Sequence, residues 1–136
     1  MTRHSRALWL AVLAWAGVIF VFSAQPDLRV APQPDLDFAL RKAGHMLVFG
    51  VLAVLLRAAL QASGARRSWQ WSLALTVLYA ISDEVHQSFT PGRHAAVLDV
   101  AIDASGAALL LACGAVWQWR RRRPRAIPRR PAGPGC

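Results

Sequence analysis

Charged residues and cysteines are both scarce in this sequence. Only 17% of the 136 residues are Asp, Glu, Lys or Arg, whereas 55% are hydrophobic. A typical soluble domain is roughly a quarter charged, so this balance excludes an ordinary soluble protein and indicates a single unit embedded in a membrane. The two cysteines, Cys113 and Cys136, are too few for a disulfide framework and have no metal-ligand spacing.

Acidic residues are also few, and the net charge of +9 arises largely from one short segment. Seven of the 16 basic residues lie between Arg120 and Arg130, which leaves the rest of the chain much closer to neutral. A basic tail differs from the basic folded surface of a nucleic-acid-binding protein, and we expect no nucleic-acid partner. Residues 120–136 are predicted to be a disordered tail, rich in proline and arginine, that follows a membrane domain over residues 1–119.

Four apolar segments predict four transmembrane helices, and hence an all-α, polytopic membrane protein. The first segment runs from Ala7 to Phe22 without a charge. A cleavable signal peptide is the alternative interpretation, but Phe22 would occupy a position that requires a small residue, so we favour a retained helix. The other helices are predicted near residues 37–60, 69–87 and 95–119. Three prolines and three aspartates predict a loop over Gln25–Phe38.

The distribution of basic residues predicts the orientation of these helices. If the N-terminus is cytoplasmic, 12 of the 16 basic residues fall on the cytoplasmic side, as the positive-inside rule requires. We therefore expect both termini in the cytoplasm. All seven acidic residues then lie in outer loops or in the outer half of a helix, so the polar residues concentrate at the outer face.

Polar residues on three of the predicted helices lie at this outer level. Lys42 and His45 are spaced i, i+3, Asp99 and Asp103 are spaced i, i+4, and each pair therefore shares a helix face. The third helix ends in the polar stretch 82–87, followed by a Pro-Gly turn signal at residues 91–92. The candidate ligand-binding residues are Lys42, His45, Asp83, Glu84, His86, Gln87, Arg93, Asp99 and Asp103.

Asp103 is informative because of its depth. A helix that begins near residue 94 places it roughly 13 Å along the axis, where a carboxylate costs on the order of 2.5–3.5 kcal/mol. We expect Asp99 and Asp103 to face the bundle interior and to form a charge network with Lys42 or Arg93, with the histidines as further partners. Structural hydrogen bonding between helices is the alternative. No His-Glu-x-x-His pattern is present, so we expect an ion-pair network and neither a metal nor a cofactor.

Several motifs accompany these candidate residues. They are Phe22-Ser23-Ala24-Gln25-Pro26, the K-x-x-H spacing of Lys42 and His45, the block Tyr79-Ala80-Ile81-Ser82-Asp83-Glu84-Val85-His86-Gln87, the stretch Phe89-Thr90-Pro91-Gly92-Arg93, and Asp99 with Asp103 and Gly106. Together these motifs resemble those of the VanZ-like family of small bacterial membrane proteins, over residues 8–118. Two departures are Phe49, where many members have tyrosine, and Asp103, where asparagine is common.

This resemblance implies a multi-pass protein of the bacterial plasma membrane, related to one that gives resistance to the glycopeptide teicoplanin. We expect an outward-facing pocket that binds envelope lipid headgroups, lipid-linked wall precursors or glycopeptides. Two other interpretations stay open. One is an enzyme in which His86 or His45 is a general base oriented by Asp83 or Asp99. The other is a proton-coupled transporter that uses Asp103 and works as an oligomer.

Overall fold

The computed structural model describes residues 2–25, 30–89 and 96–122, and these residues form four helices. They are α1 (Arg3–Ser23), α2 (Pro34–Ala62), α3 (Ser68–Gln87) and α4 (Val97–Arg122). The all-α prediction is confirmed, because the described ranges contain no strand. Among these helices, α1, α2 and α4 are long and apolar enough to cross a membrane. A fourth span, formed by α3, stays a prediction.

The helix boundaries differ from the predicted ones at two places. The predicted loop over Gln25–Phe38 is wrong at its end, because α2 begins at Pro34, three residues before the predicted start of the helix near Asp37. Proline is favourable at the first position of a helix, where its missing N–H is not needed. Asp35 and Asp37 follow in the first turn and stabilise the positive end of the helix dipole. At the other end of the chain, α4 continues to Arg122, which removes residues 120–122 from the predicted disordered tail.

Three predictions lie outside the described residues. They are the disorder of the tail after residue 122, the turn at residues 91–92, and the position of Arg93.

The central helix of the bundle is α2, which packs against α1, α3 and α4. Its side of the core consists of the buried residues Phe49, Leu52, Ala53, Leu56 and Ala59. Many large hydrophobic side chains, including Leu10, Leu47 and Trp117, are exposed on the outward faces of the helices. This distribution, apolar inside and apolar outside, is the one that a bundle surrounded by lipid requires.

Helices α2 and α4 approach each other closely and run in the same direction. Gly106 lies against the backbone of Met46, and a Cβ atom at Gly106 would be only 2.6 Å from the Met46 Cα atom. Further along both helices, Arg57 donates a hydrogen bond to Gln118 at 3.3 Å. Because the partner numbers rise together along the two helices, the helices are parallel, and the beginnings of α2 and α4 lie at the same end of the bundle.

Hydrogen bonds to backbone carbonyl groups attach α1 to the rest of the bundle. The Trp15 indole donates to the Val48 carbonyl of α2 at 2.9 Å, and the Tyr79 hydroxyl of α3 donates to the Ala16 carbonyl at 2.7 Å. In an apolar medium such donors need internal partners, so these bonds fix the height of α1 relative to α2 and α3. The last turn of α1 therefore reaches the level at which α2 and α4 begin.

Candidate functional site

The acidic residues that the structure describes lie at one end of the bundle, where α1 and α3 end and α2 and α4 begin. We call a group of residues at this end the polar cluster; its members are Ser23, Lys42, His45, Asp83, Glu84, Gln87, Asp99 and Asp103. Sequence spacing predicted which helix face carries most of these residues. Successive helices run in opposite directions, so the ends of α1 and α3 lie beside the beginnings of α2 and α4.

Two pairs connect α2 to α4. The Lys42 ammonium forms an ion pair with the Asp99 carboxylate. One turn deeper, His45 Nδ1 lies 3.4 Å from Asp103 Oδ1, and the Asp103 residue is only 3% exposed. This Oδ1 atom has no hydrogen-bond partner among the described residues, so the contact with His45 is electrostatic and strengthens when the imidazole is protonated.

A hydrogen-bonded group connects α3 to α1. The Oδ2 atom of Asp83 accepts hydrogen bonds from Ser23 Oγ and from Gln87 Nε2, both at 2.8 Å. Asp83 is 3% exposed, and its Oδ1 atom has no donor in the described part of the chain. The Asp83 carboxylate is also within electrostatic range of His45 and Asp103. Through the bond from Ser23, Asp83 joins the end of α3 to the end of α1.

Glu84 and His86 have separate surroundings. The Glu84 carboxylate accepts the backbone N–H of Ala96 at 2.7 Å and thus holds the beginning of α4 against the end of α3. The imidazole of His86 stacks on Phe20, with 4.2 Å between the ring centroids. No hydrogen bond or ion pair joins His86 to a carboxylate within residues 2–25, 30–89 and 96–122. In that part of the chain His86 therefore has no direct polar contact with Asp83, Asp99 or Asp103.

A groove of about 270 Å³ lies between α1 and α2, beside the polar cluster. We call it the α1–α2 groove. Most of its wall is aliphatic or aromatic, and its polar side chains come from Ser23, Arg41 and His45. The residues that line it are Val18, Ile19, Phe22, Ser23, Val30, Arg41, Gly44, His45 and Val48.

Arg41 and Ser23 are groove residues that the sequence analysis did not select. The Arg41 Nε atom lies 3.0 Å from Asp37 Oδ2, and 41% of the arginine side chain remains exposed. Asp37 and Arg41 have i, i+4 spacing within the helix predicted near residues 37–60, but nothing in that spacing indicated that Arg41 lines a groove. Ser23 belonged to the first-helix motif, and its role as a donor to Asp83 depends on how α1 packs against α3.

The described residues contain no group of three His, Cys, Asp or Glu side chains arranged to hold a metal ion. The carboxylates instead face a lysine, a histidine, a backbone N–H group, and neutral donors. Buried charges in a membrane bundle need such partners, and the arrangement suits recognition of a polar headgroup or transfer of a proton.

A sequence model of the family described as VanZ/LLP1 matches residues 8–118 of the chain. This range includes every described residue of the polar cluster and of the α1–α2 groove. No curated protein and no solved structure resembles the chain closely enough to count as a match.

Proposed function

The chain belongs to the VanZ/LLP1 family, and on that premise we propose that it binds an amphiphilic ligand in the α1–α2 groove. The apolar chain of the ligand lies against the groove wall, and its headgroup lies beside Arg41 and His45. The observation that carries this proposal is the composition of the groove, because the lining of an otherwise apolar cavity includes a guanidinium group, an imidazole and a hydroxyl group.

The position of the groove suits a ligand that comes from the membrane. With 29 residues, α2 is about 43 Å long, whereas the hydrocarbon core of a bilayer is roughly 30 Å thick. The first turns of α2 therefore extend to the headgroup level, and these turns carry Arg41 and, one turn further, His45. Arginine at this level suits phosphate because its fork of N–H groups binds two oxygens at once.

The ligand classes with this chemistry are envelope lipids, lipid-linked wall precursors and lipophilic glycopeptides. The charge distribution supports a groove that opens outward in a bacterial plasma membrane, with both termini in the cytoplasm. In that orientation all three classes reach the groove from the outer leaflet. If the ligand is a glycopeptide, the binding that we propose would contribute to teicoplanin resistance.

Gly44 offers a direct test of the groove. A Cβ atom at this position meets nothing within 4 Å, so Gly44→Leu places a side chain in the groove without a clash at its first atom. Gly17→Leu is the matched control, because Gly17 on α1 is equally open and does not line the groove. Both proteins are purified in mild detergent, and the bound lipid is measured by native mass spectrometry.

We expect wild type and Gly17→Leu to retain lipid, and Gly44→Leu to bind it at least about tenfold more weakly, which corresponds to roughly 1.4 kcal/mol of binding free energy. Equal retention by both variants would contradict binding in the α1–α2 groove. Far-UV circular dichroism checks that the helices of each variant are intact.

An enzyme is the second candidate, and the pair of His45 with Asp103 favours it. The Asp103 carboxylate lies 3.4 Å from Nδ1, and a shortening of this contact to a hydrogen bond on substrate binding would orient the imidazole for general acid or base catalysis. The His45 side chain is 30% exposed. The acid that orients the imidazole would then be Asp103, instead of the expected Asp83 or Asp99. Incubation of labelled envelope lipids with the protein in liposomes, followed by thin-layer chromatography, separates the two functions. Conversion abolished by His45→Gln supports the enzyme, whereas retention without conversion supports binding alone.

A further inference from the structure

Asp83 carries an oxygen atom for which the described structure provides no donor. The residue is 3% exposed, its Oδ2 atom accepts two hydrogen bonds, and its Oδ1 atom accepts none within the described residues. Buried carboxylate oxygens are normally satisfied, because an unpaired acceptor in a medium of low dielectric constant is costly. This atom therefore points to a donor that the described chain itself does not supply.

The charge balance of the polar cluster indicates which kind of donor is absent. Asp99 faces Lys42 and Asp103 faces His45, so each of these carboxylates has a basic partner. Asp83 instead receives a hydroxyl group and an amide group, both neutral. A cationic N–H donor satisfies the open oxygen and also balances the charge.

The α1–α2 groove lies next to this carboxylate. Ser23 lines the groove and also donates its hydroxyl hydrogen to Asp83. His45 lines the groove and is within electrostatic range of Asp83. Arg41 supplies a half-exposed guanidinium group to the same groove. Arg41 thus offers a binding site for an anion in the groove. Asp83, next to the wall of the groove, offers a hydrogen-bond acceptor for a cation.

We propose that the ligand of the groove is an amphiphile whose headgroup carries both a phosphate and a primary ammonium group. The phosphate binds Arg41, and the ammonium group donates a hydrogen bond to Asp83 Oδ1. This proposal rests on the proposed function and specifies its ligand class. Aminophospholipids and lipid-linked precursors with a free amino group share this chemistry.

The test compares lipids that differ only in the headgroup. The full-length protein in mild detergent is titrated with phosphatidylethanolamine, phosphatidylcholine and phosphatidylglycerol of identical acyl chains, and binding is measured by native mass spectrometry. Phosphatidylcholine keeps the phosphate and the positive charge but has no N–H donor. We expect phosphatidylethanolamine to bind at least about tenfold more tightly than either of the other two, as one charge-assisted hydrogen bond predicts.

Variants assign the preference to individual groups. Asp83→Asn should reduce the preference for phosphatidylethanolamine over phosphatidylcholine to less than about threefold, because the amide has no charge. Asp35→Asn is the matched control and should keep the full preference, since Asp35 is exposed in the first turn of α2 and lies outside the polar cluster. Arg41→Gln should weaken the binding of all three lipids by a similar factor, because it removes the contact to the phosphate that all three share.

A second variant tests the proposal even if the Asp83→Asn protein does not fold. Ser23→Ala removes one neutral donor from Asp83 Oδ2 and leaves more of the negative charge for the ammonium group, so the preference should rise. An unchanged or lower preference would contradict the proposal.

A further comparison distinguishes aminophospholipids from lipid-linked precursors as the ligand. Binding of a lipid-linked precursor is measured with and without acetylation of its amino group. Loss of tight binding on acetylation identifies the precursor as a ligand of the same chemistry.

The outcomes separate this proposal from the proposed function. If all three phospholipids bind equally and Gly44→Leu still abolishes their binding, the groove binds lipid but Asp83 does not select the headgroup. If no lipid binds, both proposals are wrong.

Discussion

Replacement of Gly106 by alanine tests the contact that brings α2 and α4 together. The added Cβ atom would lie 2.6 Å from the Met46 Cα atom and 2.7 Å from its carbonyl carbon, whereas carbon atoms in contact are about 3.5–4.0 Å apart. The neighbouring residues form the pair of His45 with Asp103. Separation of the helices by roughly 1 Å would therefore act directly on the polar cluster.

The size of the effect follows from what the new methyl group meets. Overpacking costs about 1–3 kcal/mol, and we expect the upper end because the colliding atoms belong to the backbone and cannot rotate away. Alanine is a better helix former than glycine by about 1 kcal/mol, which offsets part of the loss. Gly106→Ala should therefore lower the free energy of unfolding by about 2 kcal/mol.

Two other glycines provide a graded comparison. The atom nearest to a Cβ atom at Gly50 is the Leu110 Cδ2 methyl group at 2.8 Å, and this side chain is able to rotate. Gly50→Ala should therefore lower the free energy of unfolding by only about 0–1 kcal/mol. At Gly114 the nearest atom is Arg57 Nη1 at 3.9 Å, an ordinary contact, so Gly114→Ala should be neutral or more stable by up to about 1 kcal/mol. All three variants change the same residue type within a helix.

The free energy of unfolding is measured by titration of the protein with sodium dodecyl sulfate in mixed micelles, followed by far-UV circular dichroism. The expected order of stability is Gly114→Ala, then Gly50→Ala, then Gly106→Ala. Equal stability of Gly106→Ala and Gly114→Ala would show that α2 and α4 do not meet at Met46. The pairing of His45 with Asp103, which depends on the same approach of the two helices, would then be wrong as well.

Three further predictions follow from the ion pairs, the orientation and the tail. Lys42→Met should lower the folded yield in detergent because it leaves a carboxylate unpaired, and addition of Asp99→Asn should restore part of it; strictly additive melting temperatures would refute this coupling. In a background without native cysteines, a cysteine at Ser88 should react with an impermeant thiol reagent outside the cell and one at Ser68 should not; the reverse pattern would refute the orientation. Truncation after Arg123 should leave insertion and lipid binding intact, and their loss at normal abundance would indicate a specific partner of the tail.

The helices and their polar faces were predictable because both depend on local periodicity. The spacing of Lys42 and His45, and that of Asp99 and Asp103, fixes which side chains share a face whatever the rest of the fold does. The partners were less predictable because they depend on the axial register of α2 against α4. That register is set by the contact of Gly106 with Met46, which no local pattern in the sequence indicates.

Arg41 lies inside the helix predicted near residues 37–60, so the prediction already placed Asp37 and Arg41 on successive turns. Its position on the wall of a groove depends on how α2 packs against α1, which local periodicity does not indicate. The error at the beginning of α2 is a separate one. Pro34 suggested a loop, although proline is equally suited to the first position of a helix.

The polar cluster divides into groups that hold the bundle and groups that remain available to a ligand. Lys42 with Asp99, and His45 with Asp103, place a basic group opposite a carboxylate on two parallel helices, and the close contact at Gly106 keeps these pairs in register. Groups that satisfy each other have little left to offer a ligand. Arg41, beside the cluster, contacts Asp37 through Nε but keeps 41% of its side chain exposed, and Asp83 keeps an oxygen without a donor among the described residues. Recognition should therefore depend on Arg41 and Asp83, which flank the pairs, while stability depends on the pairs themselves.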